Sequence, residues 1–252
     1  MLKVSIITVC YNSESTIEDT LQSVANQSYT NVEHLVIDGA STDNTVELTR
    51  RYKTKVTTEP DKGIYDAMNK GIKLASGDVI GTLNADDFYI DNTVLNNVAK
   101  VFKDASVEAC FADLVYVSQD GTNKIVRYWK SQDYTRELFK SGWMPAHPTF
   151  FARRNVYEKY GLFDLSYKIA ADFELLFRLI EQNKIKTKYI PKVMVKMRLG
   201  GTTNKSLSNV IAQNKEIITI LKKQYPDFSV LAFISKKIIN RFFQFLYRPL
   251  SK

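Results

Sequence analysis

Short apolar runs alternate with amphipathic stretches through roughly the first 90 residues, and each run stops at turn-forming or acidic residues. That pattern belongs to βα units feeding a parallel sheet. Val4 to Val9 predicts a buried strand, followed by Tyr11-Asn12 and a helix from about Ser15 to Ala25 with Ile17, Leu21 and Val24 at helical spacing. Glu33 to Ile37 predicts a second strand ending at Asp38-Gly39, and a weaker third lies near Lys55 to Thr58. Tyr65 to Ala75 reads as a helix with Met68, Ile72 and Leu74 facing inward. Asp78 to Leu83 reads as a fourth strand, ending at Asn84-Ala85-Asp86-Asp87.

The second half is mixed. Val107 to Val117 and Lys124 to Trp129 predict longer strands joined by a turn over Gln119-Asp120-Gly121-Thr122, and Thr149 to Ala152 another strand. Asp172 to Gln182 predicts a helix, and Lys188 to Ile190 and Val193 to Met197 two short strands flanking Pro191. After Gly200-Gly201 the pattern is helical to the end, interrupted at Tyr225-Pro226-Asp227.

With 252 residues, 44% hydrophobic and 25% charged, the chain can bury one substantial core, which excludes disordered, collagen-like and coiled-coil classes. No run approaches the roughly 20 apolar residues that span a bilayer, and the amino terminus lacks a secretory pattern, so the expectation is a cytoplasmic protein. Cys10 and Cys110 show neither a disulfide framework nor metal-ligand spacing and read as buried small apolar residues. The net charge of +8 is uneven: nine basic and two acidic residues follow Gly200, leaving the body nearly neutral. That distribution argues against nucleic acid as a partner and for an acidic surface met by one end.

In open α/β sheets ligands bind beyond the carboxyl ends of the strands. Asn12, Asp38 and the Asn84/Asp86/Asp87 group sit there, while dinucleotide and P-loop glycine fingerprints are both absent. Asp86-Asp87 has two readings, a site for a divalent metal bridging a diphosphate or a helix N-cap pair. Asp38 could accept from a base or ribose, or belong with Ser41 to Asp43 in capping the next helix. Asp172 and Glu174, two apart at a helix start, point in different directions, so one can reach a cleft while the other pairs elsewhere or stabilises the first turn. His147 lies in a loop between Pro145 and Pro148 and reads as structural, as His34 does within a strand. Lys62 to Gly71 places a basic residue, a glycine and an acid, Lys62, Gly63 and Asp66, at a helix start as a candidate wall of a phosphate pocket.

Taken in order, VSIITVCYN (Val4 to Asn12), Leu21 to Tyr29, Val36 to Thr45, Glu59 to Gly71, Ala75 to Asp78, Leu83 to Asp87 and Ala171 to Glu174 form an ordered set. The set resembles inverting family 2 glycosyltransferases of the GT-A fold, and among them bacterial enzymes that build capsule, exopolysaccharide or O-antigen repeat units. The resemblance implies an α/β GT-A domain over residues 1–200, nucleotide-sugar-binding in 1–90 and acceptor-binding in 91–200, with a basic helical extension over 201–252.

It further implies that Thr8, Val9, Tyr11 and Asn12 contact the nucleotide, that Asp38 bonds the base of a UDP-sugar, and that Asp61 and Lys62 lie near ribose or diphosphate. Asn84-Ala85-Asp86 takes the place of the family's DxD motif, with Asn84 replacing the first acid and so contributing no charge. Asp86 would bind Mn²⁺ or Mg²⁺, with Asp87 supporting or sharing the ion and His147 a further possible ligand. Asp172 matches the catalytic base, which takes the proton of the acceptor hydroxyl. Gly200-Gly201-Thr202 resembles a glycine turn beside the diphosphate.

From Ser229 to Arg248, Leu231, Ile234, Ile238, Phe242 and Phe245 recur at helical spacing, with Lys236, Lys237, Asn240, Arg241, Gln244 and Arg248 opposite. Such a helix suits an anionic membrane surface, where each basic residue contributes about 1 kcal/mol. The alternative is packing on the body or in a dimer. An acceptor on a polyprenyl diphosphate would be presented at such a surface, making the protein peripheral on the inner face of the cytoplasmic membrane. Two other readings stay open, a sugar nucleotidyltransferase and an inactive scaffold in a polysaccharide assembly complex.

Overall fold

A computed structural model describes residues 1–119, 121–200 and 206–246. The first half is built on β1 (Val4–Cys10), buried along its whole length. After α1 (Ile17–Ala25) the chain forms β2 (Val32–Asp38), α2 (Thr45–Thr49), β3 (Lys55–Thr58), α3 (Ile64–Leu74) and β4 (Val79–Thr82). These strands are parallel, in the order β3-β2-β1-β4. Ile7 and Val9 share a core cluster with Ala67, Met68 and Ile72 of α3, while Cys10 on the other face meets Ile17 and Leu21 of α1. Cover on both faces is why β1 reads as a continuous apolar run. Gly71 lets α3 approach closely, since a Cβ there would lie 2.3 Å from Ile7 Cγ2. Leu74, expected to face inward, is exposed at the last turn of α3.

The sheet continues through the second half. β5 (Asp87–Tyr89) is followed by α4 (Val94–Val101), the long β6 (Ala109–Ser118), β7 (Gly121–Trp129), β8 (Phe151–Arg153), α5 (Arg154–Tyr160), α6 (Ala171–Phe177) and β9 (Thr187–Arg198). β8 pairs antiparallel with β4 and β6, β9 runs parallel to β6, and β7 folds back on β6 as a hairpin. Part of the expected turn, Asp120, lies outside the described residues. Thr149 closes a short 3₁₀ turn rather than opening a strand. The two strands expected around Pro191 are one, because the sheet absorbs the residue that cannot donate by shifting register opposite Asp113. The helix expected to reach Gln182 stays α-helical only to Phe177. It then widens, as Asn183 closes a longer turn with its backbone and side-chain N–H groups both on the Arg178 carbonyl, at 3.0 and 2.8 Å.

Helices α7 (Leu207–Gln224) and α8 (Val230–Leu246) complete the described chain. Ile217, Leu221 and Tyr225 of α7 and Phe233 of α8 are buried in the same cluster as Phe173 and Phe177 of α6, so the basic extension shares a core with the body. Among the described residues no helix is long and apolar enough to cross a membrane.

Both cysteines are buried, as expected, and so is His34, whose Nε2 lies 2.9 Å from Thr8 Oγ1. Burial lowers the His34 pKa to about 4 from 6.5. Because the folded state resists protonation while the unfolded chain accepts it below pH 6.5, stability falls as pH drops from 6.5 towards 4. The loss is of order 3 kcal/mol. Urea denaturation across this window is expected to show that loss, and His34→Gln to flatten it; an equal acid slope in both proteins would remove His34 as its source.

Candidate active site

At the carboxyl ends of β1 and β4 the two halves of the chain line a cavity of about 1440 Å³. That exceeds the 300–1,000 Å³ of a typical single-ligand site and leaves room for two substrates. One wall comes from the first half and includes Val9, Tyr11, Asn12, Asp61, Asn84 and Asp86. Opposite it stand His147 and Asp172 with residues of β7 and α8.

The first wall is set by two interlocked turns. Asn12 ends the β1 turn at a left-handed φ of 48°, a conformation asparagine tolerates. Its N–H donates to Ser41 Oγ at 2.8 Å and its Oδ1 accepts from Thr42 N–H at 2.9 Å. Gly39 leaves room beside them for Asp61, whose Oδ2 would lie 2.5 Å from a Cβ there and would have to shift. Asp61 in turn accepts from Gly63 N–H at 2.8 Å, which fixes the start of α3.

Several expected contacts do not reach this cavity. Thr8 sits within β1 and is spent on His34. Asp38 is fully buried at the end of β2, where it accepts from the Ser41 hydroxyl and, at 3.1 Å, from Ser41 N–H. Capping of α2 belongs to Asp43, which accepts from Thr45 N–H at 3.0 Å. Lys62 is exposed outside the cavity, its backbone N–H on Asp66.

Asp86 and Asp87 separate because neighbouring side chains near a strand point to opposite faces. Asp86 lines the cavity, with its carbonyl held by Arg198 at 2.9 Å. Asp87 is fully buried, and among the described residues neither carboxylate oxygen finds a hydrogen bond of good geometry. Burial, with the Asp86 charge beside it, pushes its carboxyl well above the ordinary range. Of the two expected acids, Asp86 is the one that lines the cavity, and Asp87 stands behind it in the protein. No group of three or more His, Cys, Asp or Glu converges on an ion site among the described residues. The hard oxygen of Asp86 fits a divalent cation that draws its remaining ligands from a substrate diphosphate and water.

Asp172 opens α6 on the far wall. Phe173 N–H donates to its Oδ1 at 2.8 Å, and the Tyr65 hydroxyl lies 3.3 Å from the same oxygen while also donating to the Ile169 carbonyl. Its Oδ2 is 3.3 Å from His147 Nδ1. Burial depresses the His147 pKa and outweighs the pull of the Asp172 and Asp86 carboxylates, so the imidazole is neutral near pH 7 and the contact is not an ion pair. The fork between Asp172 and Glu174 is resolved as the spacing suggested. Glu174 turns away to Arg178, at 2.8 and 2.9 Å, and Arg178 ties down the carbonyls of Tyr160 and Leu162.

Two supports of Asp172 escaped sequence reading because they come from distant elements. Glu216 of α7 accepts from the backbone N–H groups of Lys168, Ile169 and Ala170 at 3.0, 3.1 and 2.8 Å, standing in for the local cap that α6 lacks. Phe139 meets Trp143, Phe173 and Phe177 edge-on at 5.4, 5.5 and 5.4 Å, contacts worth about 0.5–1.5 kcal/mol each beyond their buried area.

The family model described as glycosyl transferase family 2 matches residues 5–161, more than half of the chain. The chain belongs to this family. The family 2 chain is 27% identical over 253 residues to a PGL/p-HBAD biosynthesis glycosyltransferase of Mycobacterium bovis, covering 94% of this chain and 96% of the relative. It is 24% identical to the chondroitin synthase of Pasteurella multocida, covering 94% of this chain but 26% of that protein. Among solved structures it resembles a mannosyltransferase of Pyrobaculum calidifontis in complex with GDP-Man and Mn²⁺ (TM-score 0.68, 18% identity, 95% of this chain and 71% of that one). It also resembles S. aureus TarS residues 1–349 in complex with UDP-GlcNAc (TM-score 0.65, 18% identity, 97% and 73%). At that identity the likeness concerns the fold, and the GT-A architecture expected from the sequence is the one observed.

Proposed function

We propose that this family 2 glycosyltransferase moves a sugar, with inversion, from a UDP-sugar to a lipid-linked saccharide of bacterial surface polysaccharide synthesis. The observation that carries the reading is the placement of Asp172 Oδ2 in a two-substrate cavity whose other wall presents Asp86. With Oδ1 held by Phe173 N–H, Oδ2 is the oxygen that takes the acceptor proton as the hydroxyl attacks the anomeric carbon. Asp86, with Asn84 beside it, holds the donor diphosphate through a divalent ion, whose contribution is Lewis-acid stabilisation of the departing charge. The UDP-GlcNAc complex of TarS supports UDP as the nucleotide, and the GDP-Man complex of the mannosyltransferase makes GDP the competitor. Membrane attachment is supported by α8, which turns Leu231, Ile238 and Phe242 to solvent at 78%, 64% and 61% exposure along one face.

A panel of UDP- and GDP-sugars offered with a lipid-diphosphate monosaccharide is expected to give acceptor-dependent UDP release and a longer lipid-linked saccharide. Pyrophosphate release would establish a nucleotidyltransferase instead, and absence of turnover with every donor would favour a scaffold. Co-sedimentation with anionic vesicles is expected to fall at least tenfold in Leu231→Ser/Ile238→Ser/Phe242→Ser. Unchanged sedimentation, or loss of a dimer in place of vesicle binding, would reject the membrane role.

A further inference from the structure

Helix α8 carries its amphipathicity in an unusual sense. Its apolar side faces outward, while Lys237, Asn240, Arg241 and Gln244 line the catalytic cavity. Arg127 of β7 lines the same wall, with its guanidinium 4.4 Å above the Tyr116 ring. Three neighbouring cations therefore line a cavity that also presents Asp61 and Asp86.

The side chains receiving hydrogen bonds from two of these cations are neutral amides. Lys237 Nζ donates to Asn214 Oδ1 and Arg127 Nε to Gln244 Oε1, both at 2.7 Å. Such partners orient a positive charge without neutralising it. Burial lowers the Lys237 pKa to about 8, with Arg241 and Arg127 acting in the same direction and Asp172 against it. Lys237 thus lies within reach of two like charges and of the Asp172 carboxylate, and a phosphate placed beside it would add to the opposing charge. Arginine forks and a lysine ammonium are a suitable donor set for phosphate oxygens.

We propose that Arg127, Lys237 and Arg241 form the acceptor-side anion site of the cavity and bind the diphosphate of a lipid-diphosphate-linked saccharide. The proposal rests on the lipid-linked acceptor read above and deepens it. The same helix that offers its cations to the cavity offers an apolar face outward, so an acceptor can leave its chain in the lipid, seat its diphosphate on the wall and present its sugar to Asp172. The donor diphosphate belongs across the cavity, beside Asp86.

Farnesyl diphosphate titrated into the UDP-saturated protein is the test, because UDP already fills the donor side. Lys237→Gln/Arg241→Gln is expected to weaken its binding at least tenfold, with UDP affinity within twofold of wild type. Farnesol, which has the chain without the charge, is expected to bind both proteins equally weakly, and inorganic pyrophosphate to compete with farnesyl diphosphate only in wild type. Equal farnesyl diphosphate affinity in both proteins overturns the proposal, and a parallel fall in UDP affinity reassigns the cations to the donor. Arg241→Gln alone changes a solvent-exposed position and supplies a folded variant if the double substitution fails to fold; binding equal to wild type there also counts against the site. The transfer assay with the lipid-diphosphate monosaccharide separates the two readings. Charge-dependent binding without sugar transfer keeps the anion site and rejects the acceptor reading, whereas transfer without charge-dependent binding does the reverse.

Discussion

Asp172→Asn is expected to lower sugar transfer by about 10²- to 10⁴-fold, the range removed with a positioned general base. The amide keeps the shape of the carboxylate, and one of its atoms can still accept from Phe173 N–H, so folding and UDP affinity are expected to stay near wild type. What disappears is the oxygen able to accept a proton in the cavity beside His147. Single-turnover transfer and equilibrium UDP binding, measured on the same preparation, separate the two effects. Tyr65→Phe provides the graded comparison, removing only the 3.3 Å contact to Oδ1. Turnover near wild type in Asp172→Asn would mean that another group takes the proton.

The second large effect concerns the opposite wall. Asp86→Ala is expected to weaken UDP binding in Mn²⁺ or Mg²⁺ by about 100-fold or more, since even the groups that merely orient metal ligands typically account for 10- to 100-fold. In excess chelator the two proteins should bind UDP alike, because Tyr11, Asn12 and Asp61, the cavity residues expected to meet the nucleotide, are unchanged. Calorimetry with and without the ion reads this directly. Wild-type UDP affinity that does not respond to either metal would remove the ion from the donor site.

The parallel half of the fold was legible because burial on both faces writes itself as uninterrupted apolar runs, and the residues after those runs do line the cavity at Asn12, Asn84 and Asp86. The motif pattern did not distinguish facing from neighbouring positions. Asp38, Thr8 and Asp87 belong to motif segments yet turn into the protein, Asp38 to Ser41, Thr8 to His34 and Asp87 to full burial near Arg198. The two-residue offset said that Asp172 and Glu174 part ways, and the resemblance said which of them faces the cavity. The contact of Asp172 with His147 joins residues far apart in the chain and left no periodic trace. For α8 the apolar face expected to point outward is exposed, whereas the lining of the cavity by Lys237, Asn240, Arg241 and Gln244 was missed, because alternation alone cannot say what a polar side meets.

The three hydrogen bonds from the Lys168–Ala170 backbone to Glu216 have a mechanical consequence. They fasten the segment carrying the base to α7, and α7 is joined through Lys237 and Asn214 to α8. Base, cationic wall and outer apolar face are thus coupled like parts of one hinge plate. A displacement of α8 would therefore be passed through α7 to the backbone that carries Asp172, so the carboxyl-terminal helices can align the candidate base.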